Sequence, residues 1–303
     1  MKKTNYKYEL HHLNGNTYYI DGPTNCGLYK LNDTDVCLID CGTKEDGMII
    51  YELLKNNNLR LKYIILTHSH ADHSGGCIYL EKMTGCTIIA SKVERAFLTD
   101  TKLDIGFLYG GYPLDEYDNH LMHTDEPSDI LSLSHIPQGL RSFSLPGHHY
   151  QMIGIRTADD VYFVADTLGS KNLVDSQHIL LIYDVDGYLR SLDYVESLDG
   201  KIIVPAHSDV TMDIKDVVKV NRNQINMIID IILTFLEIEH TAEELTAYIF
   251  EYYDLKITYN KYMLISTTMR SYLSYLSNSG KIKNYFKNNK LVFLTVEAFN
   301  DKF

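Results

Sequence analysis

Short apolar runs separated by turn residues fill the first two-thirds of this chain, and long amphipathic stretches fill the last third. The runs at 17–20, 27–31, 36–40, 61–67 and 87–90 have strand length, and the run at 61–67 is apolar enough to be a buried strand. Met48, Ile49 and Leu53 recur at helical spacing within 46–56, and Asn56-Asn57-Asn58 breaks that pattern. Helices are also expected over 77–84, closed by Gly85, and over 92–98. Residues 101–139 lack a clear period, and Tyr109-Gly110-Gly111-Tyr112-Pro113 is a loop signal. Long tyrosine-rich connections of this kind often serve as lids or binding loops. Strands resume at 140–145, 152–157 and 161–165, with a hairpin turn at Ala158-Asp159-Asp160. A helix at 188–198 and a strand at 201–205 complete the alternating region.

Beyond residue 213 the pattern changes. A long amphipathic helix is expected at 217–236, and the capping box Thr241-Ala242-Glu243-Glu244 opens a second that runs to 253. A third spans 259–278, and the runs at 281–286 and 291–296 flank Lys287-Asn288-Asn289-Lys290 as a β-hairpin. The pattern predicts an α/β (α+β) fold over 1–213 and a separate helical unit over 214–303.

The chemistry sits at strand ends. The 61–67 run leads into His68-Ser69-His70-Ala71-Asp72-His73, and Ser74-Gly75-Gly76 then lets the chain turn tightly. Neutral imidazoles and carboxylates suit zinc, iron or manganese, and these six positions offer donors enough for two ions. Three later strands end on the same residue types: at His148 after Pro146-Gly147, at Asp166 after Ala165, and at His207 after Pro205-Ala206. His120, His123 and His135 lie in the irregular stretch without such a context and are not expected to be ligands.

These four segments, His68–His73, Pro146-Gly147-His148, Ala165-Asp166-Thr167 and Pro205-Ala206-His207, resemble the metallo-β-lactamase superfamily over residues 15–212, and most of all its glyoxalase-II-like branch. Asn25-Cys26, Leu38-Ile39-Asp40-Cys41-Gly42 and Arg190-Ser191-Leu192 support the match. The resemblance implies a four-layer αβ/βα sandwich with two metal ions at one edge. His68, His70 and His148 would bind the first ion, and Asp72, His73 and His207 the second. Asp166 would bridge them together with a hydroxide. Aspartate at 166 implies two hard-to-borderline ions, and histidine at 70 resembles the zinc hydrolases, so zinc is implied ahead of iron or manganese. Asp72 would be catalytic, orienting the nucleophile and shuttling its proton. The implied activity is hydrolysis of a small acyl compound, a thioester or lactone, as in hydroxyacylglutathione hydrolases.

Departures from the family pattern bear on the substrate. His149 stands where the family commonly has Thr or Ser, and it is expected to turn away from the pocket along an extended segment. Ala206 replaces a usual Gly, and no run matches the family's glutathione-binding residues. Three helices and a hairpin resemble a winged helix, as found after some glyoxalase-II-like hydrolases. A phosphodiesterase of the same fold acting on single-stranded nucleic acid is therefore an alternative, and a metal-sensing DNA-binding regulator is another.

Charge weighs against nucleic acid. The chain carries 28 basic and 40 acidic residues for a net −12, and residues 214–303 are nearly balanced with 11 basic and 10 acidic. The acidity is therefore concentrated in the first domain, a poor host for a polyanion. Lys281, Lys283, Lys287 and Lys290 on the hairpin are the one basic cluster. Five scattered cysteines (Cys26, Cys37, Cys41, Cys77, Cys86) form no C-x-x-C pair and are expected to be reduced. No apolar run reaches the ~20 residues of a membrane span, and the start of the chain lacks the apolar core of a signal peptide. A cytoplasmic enzyme with a small-molecule substrate is expected.

Overall fold

Strand alternation decides the layers. The computed structural model describes residues 6–100, 102–117 and 129–302. Seven strands form one sheet in chain order: β1 (Leu10–Asn14), β2 (Thr17–Ile20), β3 (Cys26–Lys30), β4 (Asp35–Ile39), β5 (Arg60–Ile65), β6 (Thr87–Ile89) and β7 (Ile130–Leu131). The first four are antiparallel, and β4 to β7 run parallel. Parallel neighbours need crossovers, supplied by α1 (Lys44–Asn56), α2 (Ala71–Ser74), α3 (Cys77–Thr84), α4 (Lys92–Thr99) and α5 (Lys102–Tyr109). A second sheet contains β8 (Leu140–Ser144), β9 (Ile153–Thr157), β10 (Val161–Phe163) and β11 (Ile202–Val204) in the order β11-β10-β9-β8.

Successive side chains point to opposite faces. Cys37, Ile39, Ile65 and Ile89 of the first sheet meet Ile153, Ile155, Val161, Phe163 and Val204 of the second in one buried cluster. Their neighbours Val36, Leu38, Ile64 and Ile88 point outward and are covered by Ile50 and Leu54 of α1 and Leu80 of α3. On the far side, Tyr162, Val164 and Ile203 pack against α7 (Val185–Glu196) and α8 (Lys215–Phe235). The result is helix, sheet, sheet, helix.

The remaining elements are α6 (Lys171–Gln177), α9 (Ala242–Tyr252), α10 (Tyr259–Asn278), the hairpin β12 (Ile282–Lys287) with β13 (Lys290–Thr295), and α11 (Val296–Lys302). Asn288 and Asn289 at the hairpin tip both have positive φ, as a two-residue turn requires. The apolar core of α8 to α10 is continuous with that of the second sheet, from Leu145 and Tyr188 through Ile232 and Met269 to Phe293. Among the described residues no helix is long and apolar enough to cross a membrane.

Several elements differ from the sequence expectation. The stretch 101–139 contains the helix α5, and β1, α6 and α11 carry too little periodicity to announce themselves. Helix α7 starts at Val185, before the expected 188, because the Asp184 side chain caps it by accepting from Gly187 N.

Ile232 is fully buried in the shared core. Ile232→Ala should cost about 2–5 kcal/mol, measured by urea denaturation. The wild type should unfold in one transition by both circular dichroism and tyrosine fluorescence, and two separated transitions would contradict a continuous core.

Candidate metal centre

The ends of four strands, β5, β8, β10 and β11, deliver the seven residues singled out in the sequence. Asp40 closes β4 at φ +60, a left-handed conformation that a short polar residue tolerates. Its carboxylate accepts from Thr67 N at 2.8 Å, Thr67 Oγ1 at 2.7 Å and His73 Nδ1 at 2.8 Å. One buried aspartate thus fixes both ends of the segment His68–His73. Asn25 donates to Pro205 O and Ser208 O and so clamps the turn that carries His207. The turn before His148 needs Gly147, whose φ is +127 and where a Cβ would lie 2.3 Å from Tyr188 Cα. Gly147 O accepts from Tyr183 N and Asp184 N, which ties the turn to the start of α7.

Hydrogen-bond bookkeeping fixes the ring protons. Thr67 Oγ1 gives its one proton to Asp40, so it accepts from His68 Nδ1, 3.1 Å away. His148 Nδ1 donates to Leu181 O, His207 Nδ1 to Pro23 O, and His73 Nδ1 to Asp40, at 2.8–3.0 Å. In the neutral rings the Nε2 lone pairs are then bare and point inward. His68 Nε2 and His148 Nε2 each lie 3.0 Å from His70 Nδ1, and one proton on His70 can serve only one of them. On the other side, Asp72 Oδ2 and His207 Nε2 are 3.3 Å apart, and Asp72 Oδ2 is 3.9 Å from His73 Nε2. Asp166 stands between the two groups: Oδ1 is 2.9 Å from His73 Nε2, and Oδ2 is 3.3 Å from His207 Nε2 and 3.5 Å from His148 Nε2.

Electrostatics divides the two groups. Burial, reinforced by the neighbouring rings, pushes His68 well below the ordinary imidazole range, lowers His70, and brings His148 to about 3. For His73 and His207, burial is outweighed by carboxylates. Asp166, Asp40 and Asp72 lift His73 well up, and Asp166 with Asp72 lifts His207 to about 10. The reciprocal effect holds Asp166 well below the usual carboxylate range despite its burial, and Asp72 is likewise lowered. One triad is therefore neutral and electron-rich, and the other calls for positive charge.

The residues fit a metal pair. His73 Nε2 and Asp166 Oδ1 are buried and 2.9 Å apart, yet neither finds an aligned hydrogen-bond partner. Bare nitrogens converging on one point and an orphaned carboxylate oxygen beside another are the donor geometry that cations satisfy. Compact donor groups occur at His68/His70/His148, His68/His73/Asp166 and Asp72/His73/His207.

A fourth group, His70/Asp104/His149, is not evident in the sequence. His149 points neither into solvent nor into an open pocket. It is 1% exposed, with Nδ1 2.8 and 2.9 Å from the two oxygens of Glu94 and Nε2 3.3 Å from Asp104 Oδ1. Burial lowers its pKa, but the bonds to Asp104 and Glu94 outweigh this and raise it to about 9. Glu94 and Asp104 carry no motif, and the one sequence signal was the unusual histidine at 149. His135 lies exposed among Ser132 and Ser134, away from the centre. His120 and His123 fall outside the described residues. The five cysteines are buried and unpaired with each other.

Comparison with known proteins agrees with this geometry. The family model described as metallo-beta-lactamase superfamily matches residues 19–207. The chain is 30% identical over 125 residues to a "probable metallo-hydrolase" of Methanocaldococcus jannaschii, covering 39% of this chain and 55% of that protein. It is 28% identical over 193 residues to the hydroxyacylglutathione hydrolase GloC of Haemophilus influenzae, covering 62% of this chain and 86% of that one. Among solved structures, a metallo-beta-lactamase family protein from Thermus thermophilus superposes with a TM-score of 0.68 at 18% identity, over 92% of this chain and 98% of its own. That likeness extends the shared fold into the C-terminal helices.

Asp40 and His73 are both almost fully buried. Asp40→Ala should cost about 3–5 kcal/mol, because it leaves His73 and Thr67 without their partner. Chemical denaturation of the protein after chelation reads this directly.

Proposed function

The chain belongs to the metallo-β-lactamase superfamily of metal-dependent hydrolases, and from that premise we propose that it is a dinuclear zinc hydrolase of small acyl compounds, thioesters or lactones. The observation that carries this reading is the Asp166 carboxylate between two triads, with oxygens 2.9 Å from His73 and 3.3 Å from His207. His68, His70 and His148 would hold one ion, Asp72, His73 and His207 the other, and Asp166 would touch both. When bound, two such cations supply Lewis-acid polarisation of a carbonyl and a water acidified to near neutral pH.

The chain's own residues do the rest. The Asp72 side chain is 45% exposed against 12% for Asp166, so it meets solvent at the mouth of the site. Its carboxylate orients the attacking water, takes the proton and returns it to the leaving group. His68 is sealed from solvent, which keeps water from competing for its nitrogen. No serine or cysteine nucleophile is needed.

Two observations favour an acyl substrate over a phosphodiester. The Haemophilus influenzae relative is a hydroxyacylglutathione hydrolase. The C-terminal cations are also partly consumed: Lys287 and Lys302 both pair with Glu239, and Arg270 with Glu243. The winged-helix-like residues 214–303 then brace the metal domain, and α10 does so by two bonds: Thr267 Oγ1 donates to Leu108 O, and Thr268 Oγ1 accepts from Ile182 N.

Elemental analysis of protein reconstituted with zinc should give close to two ions per chain, and a value near zero overturns the reading. Asp166→Ala should lose at least one ion and more than about 100-fold in kcat/KM, beyond the 10–100-fold typical of groups outside the ligand set. A panel of S-lactoylglutathione, lactones, bis-p-nitrophenyl phosphate and single-stranded RNA tests the substrate. Thioester or lactone turnover is expected; salt-sensitive RNA cleavage without ester activity would sink the proposal.

A further inference from the structure

Glu94 lies in the first turn of α4 and is fully buried. Its carboxylate is shared by two loops. Oε2 accepts from Ser69 N at 3.1 Å, and Ser69 stands between His68 and His70. Oε1 accepts from Gln151 N at 2.9 Å, and both oxygens face His149 Nδ1. His149 follows His148 directly along the chain, and Gln151 comes two residues later. Gln151 returns the contact, its Oε1 accepting from Val93 N at 3.0 Å. On its other edge His149 reaches Asp104 of α5, and a donor atom of His70 lies within 4.8 Å of both.

We propose that Glu94 is a positioning residue for the triad His68, His70 and His148, and that His149 and Asp104 extend its grip. The proposal rests on the metal reading of the site. Tetrahedral zinc with bonds of about 2.0–2.1 Å needs its nitrogens about 3.3 Å apart, and these three nitrogens come from two separate loops. A displacement of one loop by about 1 Å removes a ligand from reach. Glu94 is the carboxylate that both loops share. Charge-assisted bonds of this kind are short and directional, so they set the spacing between the loops. The other triad has different anchors: Asp40 for His73 and Pro23 O for His207. The two ions should therefore respond separately.

Calorimetric titration of the chelated protein with zinc tests this, with circular dichroism as the check on folding. The wild type should show two sites. Glu94→Gln keeps the size but puts an amide donor where backbone and ring donors already point. It should weaken one ion about 10–100-fold and leave the other within about twofold. Cobalt substitution identifies the affected ion by comparison: the visible band lost in a His148→Ala reference variant marks the ion of the all-nitrogen triad, and that band should fade in Glu94→Gln. A purely structural role loosens both sites alike. Folded Glu94→Gln with two unaltered affinities, or with both weakened equally, overturns the proposal. Should that variant not fold, His149→Asn keeps a donor toward Glu94 and abandons Asp104. The same selective weakening then supports the proposal, and two unchanged sites overturn it. Wild-type protein that binds no ion instead overturns the metal reading itself.

Discussion

Unshared electron pairs repel, and this fold holds several of them within a few ångströms of one another. His68 and His148 each turn a bare Nε2 to within 3.0 Å of His70 Nδ1. Left free, these rings would rotate apart or take up protons. They do not rotate, because the outer nitrogen of His68, His148, His73 and His207 is bonded to a separate fixed acceptor; burial keeps protons off His68 and His148, whereas the carboxylates around His73 and His207 favour them. Those acceptors are Thr67, Leu181 O, Asp40 and Pro23 O, and each lies on a different loop or strand end. Each of these four segments thus aims one ring.

Loops can be held this firmly only against a rigid base. The inward faces of the two sheets share one dry cluster, and sheets packed face to face sit about 10 Å apart. The ends of β5, β8, β10 and β11 therefore emerge along one edge at a fixed separation, and donors from both sheets can meet across it. The α8–α10 helices pack on the back of the second sheet, where they support the strands that end at Asp166 and His207. The edge between the sheets is also where the Asp72 carboxylate reaches solvent.

Much of this was legible in the chain because it rests on local rules. Short apolar runs, turn residues and donors at strand ends are all readable within a few positions, and the seven central residues follow from them. What escaped recognition depends on contacts between distant segments. Asp40 was visible only as part of a resembling run, and its double hold on Thr67 and His73 spans 27 and 33 positions. Glu94 and Asp104 have no motif, since an acidic residue in the first turn of a helix is ordinary on any surface. His149 is expected to turn away from the pocket; its ring is buried beside that of His70, with centroids 4.8 Å apart. Its destination is a buried carboxylate pair, and the partners that decide this lie 55 and 45 residues away.

The same network shows why buried charge deserves a reason. Glu94, His149 and Asp104 are 0%, 1% and 6% exposed, and removing such groups from water is expensive unless their bonds are nearly ideal. Apolar side chains of similar volume usually serve stability equally well. The site accommodates them, because the ring of Phe97 packs 5.1 Å from that of His149. Stability alone therefore does not account for three ionisable groups here. An apolar contact holds its neighbours within a range of positions, whereas hydrogen bonds fix direction as well as distance. Direction is what a ring nitrogen needs in order to face one point in space. The carboxylates at 94 and 104 supply it to loops that the sheets bring near each other but do not orient.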